Sequence, residues 1–496
     1  MSTPHDQPPP EMSVGEIRQK ALAGVATVGL RAFAIRGLGL AANLVLARLL
    51  VPEEFGILAF GQTLVMFSAL ITDVGFAAAL VGQHAEPRRE QLQAFFGLQL
   101  AAATGFALVG TVVLLNLGRI GEVAAVMIWS VAVAAIGGVR VVVLERRLDY
   151  RSIAQADVIA AVLYMVLAIG LVAIGFGVWG VAIAHVLRSA CQSVVLVLRT
   201  RDVPLRPRLA WAPIRHLLGF GVTYQARTLI ELGREQVINL GTLILAGTSV
   251  LGLWSLAQRL LLIPFLLFEA LWRVSFPAIA RLVARDADPA VDIARALRIG
   301  AVATGLLLVG LAASAPLLIP SAFGEEWTDV ADVVPPAALG LLVSGPISAA
   351  GAGYLYAIGR PGQVLAGVTA SAVVWLIALP VAVPRYGIQA HGWCWLAASL
   401  AEASILGAGL RRGGVPVFSS VLPPVLVGTA VALPVLLVLG GSEPSLALGL
   451  GVALGATLVF MALITMLRPA TIADGWRLSR RMLTRRTAPV APSPAA

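Results

Sequence analysis

The chain has 496 residues, of which 58% are hydrophobic and 12% charged, and its formal net charge is +10. A soluble globular domain carries about 25% charged residues, so this composition excludes a soluble protein and favours one that crosses a membrane many times. The polar N-terminus lacks the basic segment and apolar core of a signal peptide, and we expect residues 1–20 to form a disordered cytoplasmic tail.

Hydropathy predicts fourteen apolar spans in chain order. Most reach the roughly twenty residues that a helix needs to cross the hydrocarbon core of a bilayer. The predicted spans are 22–49, 56–81, 93–116, 121–143, 153–174, 177–198, 217–246, 249–274, 299–319, 332–357, 363–383, 388–409, 420–440 and 446–467. The sequence therefore predicts an all-α membrane protein with about fourteen transmembrane helices.

The first two spans meet at a short polar corner, residues 51–56. Proline disfavours a helical conformation in the residue before it, so Pro52 predicts that the first helix ends near Leu50. Glu53 and Glu54 then lie where the positive end of the next helix dipole favours acids. Asp73 lies deep in the second apolar segment, where a carboxylate is costly and so a candidate for function.

Positions in and around this corner recur after an offset of 196 residues. The recurring pairs are Arg31 and Arg227, Asn43 and Asn239, Gly56 and Gly252, Gln62 and Gln258, Leu64 and Leu260, and Asp73 and Glu269. Apolar helices align leucine and alanine by chance, but polar matches in one register indicate an internal repeat. Because the offset carries the first span onto the seventh, both halves start on the same side and the repeats are parallel.

The repeat predicts two six-helix lobes around a central cavity, followed by two further helices. The predicted divisions are the tail 1–20, an N-lobe at 21–198, a basic cytoplasmic linker at 199–216, a C-lobe at 217–410, two extra helices at 411–467 and a basic cytoplasmic tail at 468–496. Basic residues set the orientation, because cytoplasmic loops carry an excess of them. With both termini in the cytoplasm, 25 of the 36 basic residues fall inside and 3 outside.

Eight arginines lie within predicted spans, where an unpaired guanidinium facing lipid costs several kcal/mol. They are Arg31, Arg36, Arg140, Arg188, Arg227, Arg234, Arg259 and Arg273. Arg140 and Arg273 lie near cytoplasmic ends and are expected to extend to the headgroups, whereas the other six should face a bundle interior or a wet cavity.

Two interpretations of these charges stay open. Arg227, Glu231, Arg234 and Glu235 share one stripe of a helix, which is typical of a self-neutralising ladder or of a cationic cavity wall for an anionic substrate. The second interpretation makes Arg31, Arg227, Arg36, Arg234, Asn43 and Asn239 candidate substrate-binding residues. Asp73, Glu269 and Glu231 are candidates for ion coupling, because burial raises the pKa of a carboxyl and so lets it bind and release a proton. The alternative is that each of these acids pairs with a neighbouring arginine.

Signatures of catalysis are missing. Gly37, Gly39 and Ala42 imitate a dinucleotide-binding fingerprint, but they lie in a membrane helix with no preceding strand. The five histidines are scattered and form no metal motif. We therefore expect no enzyme activity, no cofactor, no metal site and no nucleic-acid partner.

Several stretches resemble bacterial polysaccharide-repeat flippases of the multidrug/oligosaccharidyl-lipid/polysaccharide exporter superfamily, and are most similar to the colanic-acid-exporter type. The stretches are ARLLVPEEFGILAFGQTLVMFSALITDVGFAAALV, LERRLDYRS, GFGVWGVAIAHVLRS, LLGFGVTYQ and LGLWSLAQRLLLIPFLLFEALWRVSFPAIARL. The resemblance covers about residues 20–410, while the tails and the last two spans match only in hydropathy.

The resemblance implies a fourteen-helix inner-membrane transporter that moves undecaprenyl-diphosphate-linked oligosaccharides to the periplasmic leaflet by alternating access. Cavity arginines that hold the diphosphate would correspond to Arg31 and Arg227. The implied partners are the lipid-linked oligosaccharide, membrane lipid and, as candidates, a polymerase and other polysaccharide-synthesis membrane proteins. Two alternatives stay open: a cation-coupled multidrug exporter of the same fold, whose cavity should be acidic, and a membrane glycosyl- or acyltransferase.

Overall fold

The computed structural model describes residues 37–39, 41–73, 75–83, 85–203, 206–262, 290–471 and 473, and of residues 220–232 only the backbone. The described residues form helices and contain no strand. After α1 (41–49), the helices are α2 Pro52–Asp73, α3 Phe76–Gly82, α4 Arg89–Leu114, α5 Gly118–Arg146, α6 Tyr150–Leu171, α7 Gly177–Arg199, α8 Leu218–Leu261, α9 Ala290–Phe323, α10 Val330–Pro346, α11 Ala352–Ala357, α12 Pro361–Tyr386, α13 Gln389–Arg412, α14 Val417–Leu439 and α15 Leu446–Leu467.

Ten helical stretches in the described residues are long and apolar enough to cross a membrane. Two of them, Arg89–Arg146 and Tyr150–Arg199, each hold two helices that pack against one another. The chain reverses where Gly118 (φ 64°) and Gly175 (φ 98°) adopt left-handed conformations that favour glycine. The predicted all-α multi-pass membrane fold is confirmed, and a count of fourteen spans is consistent with these helices.

The polar corner is present, but α2 begins at Pro52 and not at residue 56. Proline suits the first helical position because its fixed φ matches the helix and its missing N–H is not needed there. A second break occurs in α8 at Gly247 (φ 84°), 196 residues after Val51. Gly56 and Gly252 are both buried just after these breaks.

The described residues fall into two compact units, one ending at Asn239 and the other beginning at Leu240. In the first unit α5 packs against α2, α4 and α7. In the second unit α9 packs against α10, α14 and α15, so the last two helices belong to its core. Phe460 of α15 is fully buried against Gly305 of α9, where a side chain larger than hydrogen would overlap its ring.

The linker predicted at 199–216 lies against the first unit. The Arg208 backbone N–H donates to the Gln93 carbonyl (3.0 Å) and lies so close to Gly97 that a Cβ there would overlap it. Ile214 and Leu217 are buried in the same cluster as Phe95 of α4. The linker is therefore a packed part of the first unit rather than a loose connection.

Two arginines hold the start of the linker. Arg140 is buried and donates to the Val203 carbonyl (2.6 Å), so it binds the linker instead of extending to the headgroups. Arg147 donates to Asp202 (2.6 Å), which holds the pKa of the Asp202 carboxyl below its usual value. The pair is therefore present above the usual pKa and is lost as pH falls through the lowered one; because both side chains are exposed, its stabilisation is small.

Candidate functional site

Most of the charged residues predicted to bind substrate lie beyond the described side chains. Arg31, Arg36 and Glu269 are outside the described residues, and Arg227 and Glu231 belong to the part of α8 described only by its backbone. Their roles in substrate binding and ion coupling stay predictions.

Asp73 is described, and its carboxylate caps a helix. The predicted span 56–81 is two helices, because the chain breaks where Gly75 is left-handed (φ 76°). One carboxylate oxygen accepts from the Gly75 N–H (3.2 Å) and the other from the Ala77 N–H (3.4 Å). A carboxylate at a helix N-terminus satisfies orphan amides and the helix dipole, so this contact accounts for a charged residue deep in an apolar segment.

The two repeat-related asparagines are both half-buried. Asn43 donates from its side chain to the Gly39 carbonyl one turn back (2.7 Å). The Asn239 Oδ1 atom is buried and has no hydrogen-bond partner among the described residues. Buried polar atoms are normally paired, but solvent does not reach this oxygen, and a role of Asn239 in substrate binding stays a prediction. Arg234, five residues before it, is also half-buried.

The first unit contains a row of polar side chains between α6 and α7, which we call the polar lane. Its members are Gln155, Asp157, Tyr164, His185, Arg188, Gln192 and Arg199. Along α7 they recur at spacings of three, four and seven residues, which places them on one helix face. All except the exposed Arg199 are half-buried, although both helices are otherwise apolar.

Paired contacts run along the polar lane from the end of α7 to its middle. Arg199 donates to the Gln155 side chain (2.7 Å) at the helix end. Two turns further in, the Gln192 amide donates to Asp157 (2.5 Å). These contacts keep polar groups of two neighbouring helices facing each other.

The deepest part of the polar lane is built from Tyr164, His185 and Arg188. The Arg188 guanidinium carbon lies 5.8 Å from the centre of the Tyr164 ring, and the His185 ring meets that ring edge-on at 6.4 Å. Arg188 is 11 residues from Arg199 at the helix end, or about 16 Å at the helical rise of 1.5 Å per residue. Gly177, at the other end of α7, is also 11 residues away, so Arg188 lies at the middle of a helix about as long as the hydrocarbon core of a bilayer, which is about 30 Å thick.

The sequence contains a pattern that predicts this lane, but it is visible only when two neighbouring spans are compared. His185, Arg188 and Gln192 have helical spacing, and Asp157 and Tyr164 lie seven residues apart in the preceding span. The glycine turn between the two spans predicts antiparallel neighbours, so the two polar stripes could have been matched before the structure was known.

The second unit has a buried aromatic cluster around Trp254 of α8. Its ring lies 4.6 Å from the His391 ring, 5.7 Å from Trp375 and 5.6 Å from Trp395, measured between centroids. His391 is hydrogen-bonded through Nε2 to the Thr242 hydroxyl (2.8 Å). Trp254 and His391 are both fully buried, so this cluster joins α8, α12 and α13 as core and not as an accessible site.

No group of three or more His, Cys, Asp or Glu side chains in the described part of the chain could hold a metal ion. The half-buried polar groups described above are instead side-chain amides, carboxylates that stand singly, and guanidiniums. Such groups bind and position polar or anionic ligands by hydrogen bonding.

Comparison with known proteins identifies the family. A model described as "Polysaccharide biosynthesis protein" matches residues 45–332, more than half of the chain. The lipopolysaccharide biosynthesis protein WzxC of Escherichia coli K12 is 24% identical over 64% of this chain and 66% of its own length. The succinoglycan biosynthesis transport protein ExoT of Rhizobium meliloti 1021 is 27% identical over 73% of this chain and 72% of its own length.

Two solved structures share the fold. The lipid II flippase MurJ in an inward closed conformation has a TM-score of 0.71 at 14% identity, covering 89% of this chain and 99% of that one. An inward-facing multidrug transporter of the MATE family, in the MOP superfamily, has a TM-score of 0.55 at 14% identity, covering 78% and 94%. These two structures show the fold, and together with the family model and the two polysaccharide-biosynthesis relatives they confirm the resemblance drawn from the sequence. The chain belongs to the polysaccharide biosynthesis protein family and has the fold of the transporters of the MOP superfamily.

Proposed function

We propose that this chain is a flippase that moves undecaprenyl-diphosphate-linked polysaccharide repeat units from the cytoplasmic to the periplasmic leaflet by alternating access. The polar lane of α6 and α7 carries this proposal, because it brings an accessible guanidinium, Arg188, to the middle of an apolar helix. A transporter of cationic drugs would be served by acids at this depth, whereas an anionic headgroup is served by arginine.

The chemistry of the substrate sets what the transporter must supply. A diphosphate carries at least two negative charges and sheds water when it enters the depth of a bilayer. Guanidinium forks replace that water with paired hydrogen bonds, while the polyprenyl chain stays in lipid. Arg31 and Arg227 are the proposed main partners, with Arg36, Arg234, Asn43 and Asn239 nearby in sequence.

The flippase function predicts a specific intermediate in cells that lack this chain. Surface polysaccharide should be lost, and lipid-linked repeat units should accumulate in the cytoplasmic leaflet. In intact cells a membrane-impermeant sugar oxidant should therefore fail to oxidise them. Expression of the chain should restore both the polymer and oxidation from outside. If the deletion leaves polymer intact and instead raises retention of a cationic dye such as ethidium, the multidrug-exporter alternative replaces this proposal.

The proposed direction of transport depends on orientation in the inner membrane with both termini in the cytoplasm. Glu326, in the exposed turn between α9 and α10, should then be periplasmic, and exposed Arg201 in the linker cytoplasmic. In a chain whose two native cysteines are replaced by alanine, Glu326→Cys should react with an impermeant maleimide in intact cells and Arg201→Cys only after lysis. The reverse pattern would invert the topology and the direction of transport.

A further inference from the structure

We propose that Arg188 and Tyr164 form a subsite for the phosphate groups of the substrate, and that the neighbouring Asp157–Gln192 pair binds sugar hydroxyls. This inference rests on the proposed flippase function, and names a place where one unit alone holds the headgroup. No contact with Arg31 or Arg227 is needed for it.

The first argument is the state of the Arg188 guanidinium. Among the described residues it forms neither an ion pair nor a hydrogen bond, and it lies over the Tyr164 ring. By contrast, Arg147 donates to the Asp202 carboxylate, and Arg140 donates to the Val203 carbonyl. A guanidinium has five N–H donors, and one held at mid-membrane without an acceptor is costly. An anion would satisfy it.

The second argument is preorganisation. The Arg188 guanidinium lies over the Tyr164 ring in a cation–π contact, which uses none of its N–H donors and leaves them for a fork with phosphate oxygens. The edge-on contact with His185 fixes the Tyr164 ring in turn. A cation that already rests against an aromatic ring loses less side-chain freedom on binding than a fully solvated one. This favours a preorganised binding site over an arginine that lies there by chance.

The Asp157–Gln192 pair lies next to Arg188 in the polar lane. Gln192 lies one helical turn from Arg188, about 6 Å along α7, and donates to Asp157. The Gln192 carbonyl oxygen has no hydrogen-bond partner among the described residues. A carboxylate and an amide side by side offer acceptors and a donor to neighbouring hydroxyls, the chemistry of a sugar joined to the phosphate.

The test measures lipid binding to the purified full-length chain in detergent by native mass spectrometry. The probes are undecaprenyl diphosphate and its uncharged counterpart, undecaprenol. Arg188→Ala should weaken binding of the diphosphate by about ten- to a hundredfold, the effect of one lost charged hydrogen bond, and leave undecaprenol binding unchanged. Arg119→Ala, at the start of α5 and outside the polar lane, where it is 54% exposed and paired with Glu54, is the matched control and should bind like the unaltered chain.

Further variants separate recognition from folding. Tyr164→Phe keeps the ring and should keep affinity, whereas Tyr164→Leu should lower it. Gln192→Ala should weaken binding of a sugar-bearing diphosphate lipid but not of undecaprenyl diphosphate. If Arg188→Ala lowers the thermal unfolding midpoint, the binding measurement is made with Arg188→Gln instead. Glutamine keeps a long polar side chain without the charge, so weaker diphosphate binding by that variant would still support the subsite.

The outcomes distinguish this subsite from the proposed function. If the unaltered chain prefers the diphosphate over undecaprenol and the Arg188 variants retain that preference, the subsite is wrong while the flippase proposal stands. If the unaltered chain does not discriminate between the two probes, the choice of a diphosphate-linked substrate is itself wrong.

Discussion

Polymer export should fall by about a hundredfold or more when Arg31 and Arg227 are both changed to alanine. Losing one charged hydrogen bond costs about 1.5–3 kcal/mol, which is about ten- to a hundredfold in affinity. Because both arginines would bind the same diphosphate, their losses couple and need not add in full, and a hundredfold fall corresponds to about tenfold from each. The measurement is surface polysaccharide per cell, in strains whose membranes contain equal amounts of each variant. Arg→Lys should also lower export, because an ammonium offers no planar fork.

A matched control comes from an arginine that the structure shows in a surface pair. Arg119 donates to Glu54 (2.8 Å) and is 54% exposed at the start of α5, so Arg119→Ala should leave export unchanged. Full export by the Arg31→Ala/Arg227→Ala variant would remove the diphosphate-binding role. If Arg227 serves only to neutralise Glu231, its alanine variant should instead lose membrane protein, and Arg227→Ala/Glu231→Ala should recover both protein and export.

Trp254→Ala should destabilise the chain by about 3–5 kcal/mol, the usual cost of emptying a buried aromatic site. The side chain is fully buried and packs against the rings of His391, Trp375 and Trp395. Trp375 lies on α12, and His391 and Trp395 both lie on α13, so the packing of these two helices limits how far their rings can move into the space left behind. The measurement is the thermal unfolding midpoint of purified protein, together with the fraction that elutes as a folded monodisperse species.

Trp393, on the same helix as His391, supplies the control for that result. It is 63% exposed, so Trp393→Ala removes an equal side chain without leaving a cavity and should shift the midpoint little. Equal midpoints for the Trp254 and Trp393 variants would show that the aromatic cluster does not hold α8, α12 and α13 together.

The sequence predicted features that depend on one helix at a time. Span positions follow from hydropathy, including the boundary between the spans 217–246 and 249–274, and the corner at Pro52 follows from proline stereochemistry. The break after Asp73 was missed, because an isolated glycine inside an apolar run gives no sign of whether it will adopt a left-handed conformation. Asp73 was therefore flagged as an unexplained charge, when its two amide partners lie only two and four residues further on.

Contacts between segments that are far apart in the sequence could not be predicted from it. Trp254 and His391 are separated by more than a hundred residues, and neither lies in a local pattern that distinguishes it from other aromatic residues in apolar helices. The role of Arg140 depended on the path of the linker, which three prolines and a basic composition leave open. The polar lane lies between these cases, since its two helices are sequence neighbours and only their facing stripes had to be matched.

Because Phe460 packs against Gly305, the core of the second unit can be completed only late in the synthesis of the protein. The ribosome adds Phe460 155 residues after Gly305, which takes about 8–30 s at roughly 5–20 residues per second. During that time α9 is in the membrane with the face that fits this ring uncovered. The second unit therefore completes its core only at the end of translation, and a ribosome that stalls before α15 leaves behind a chain with an open seam for membrane proteases to recognise.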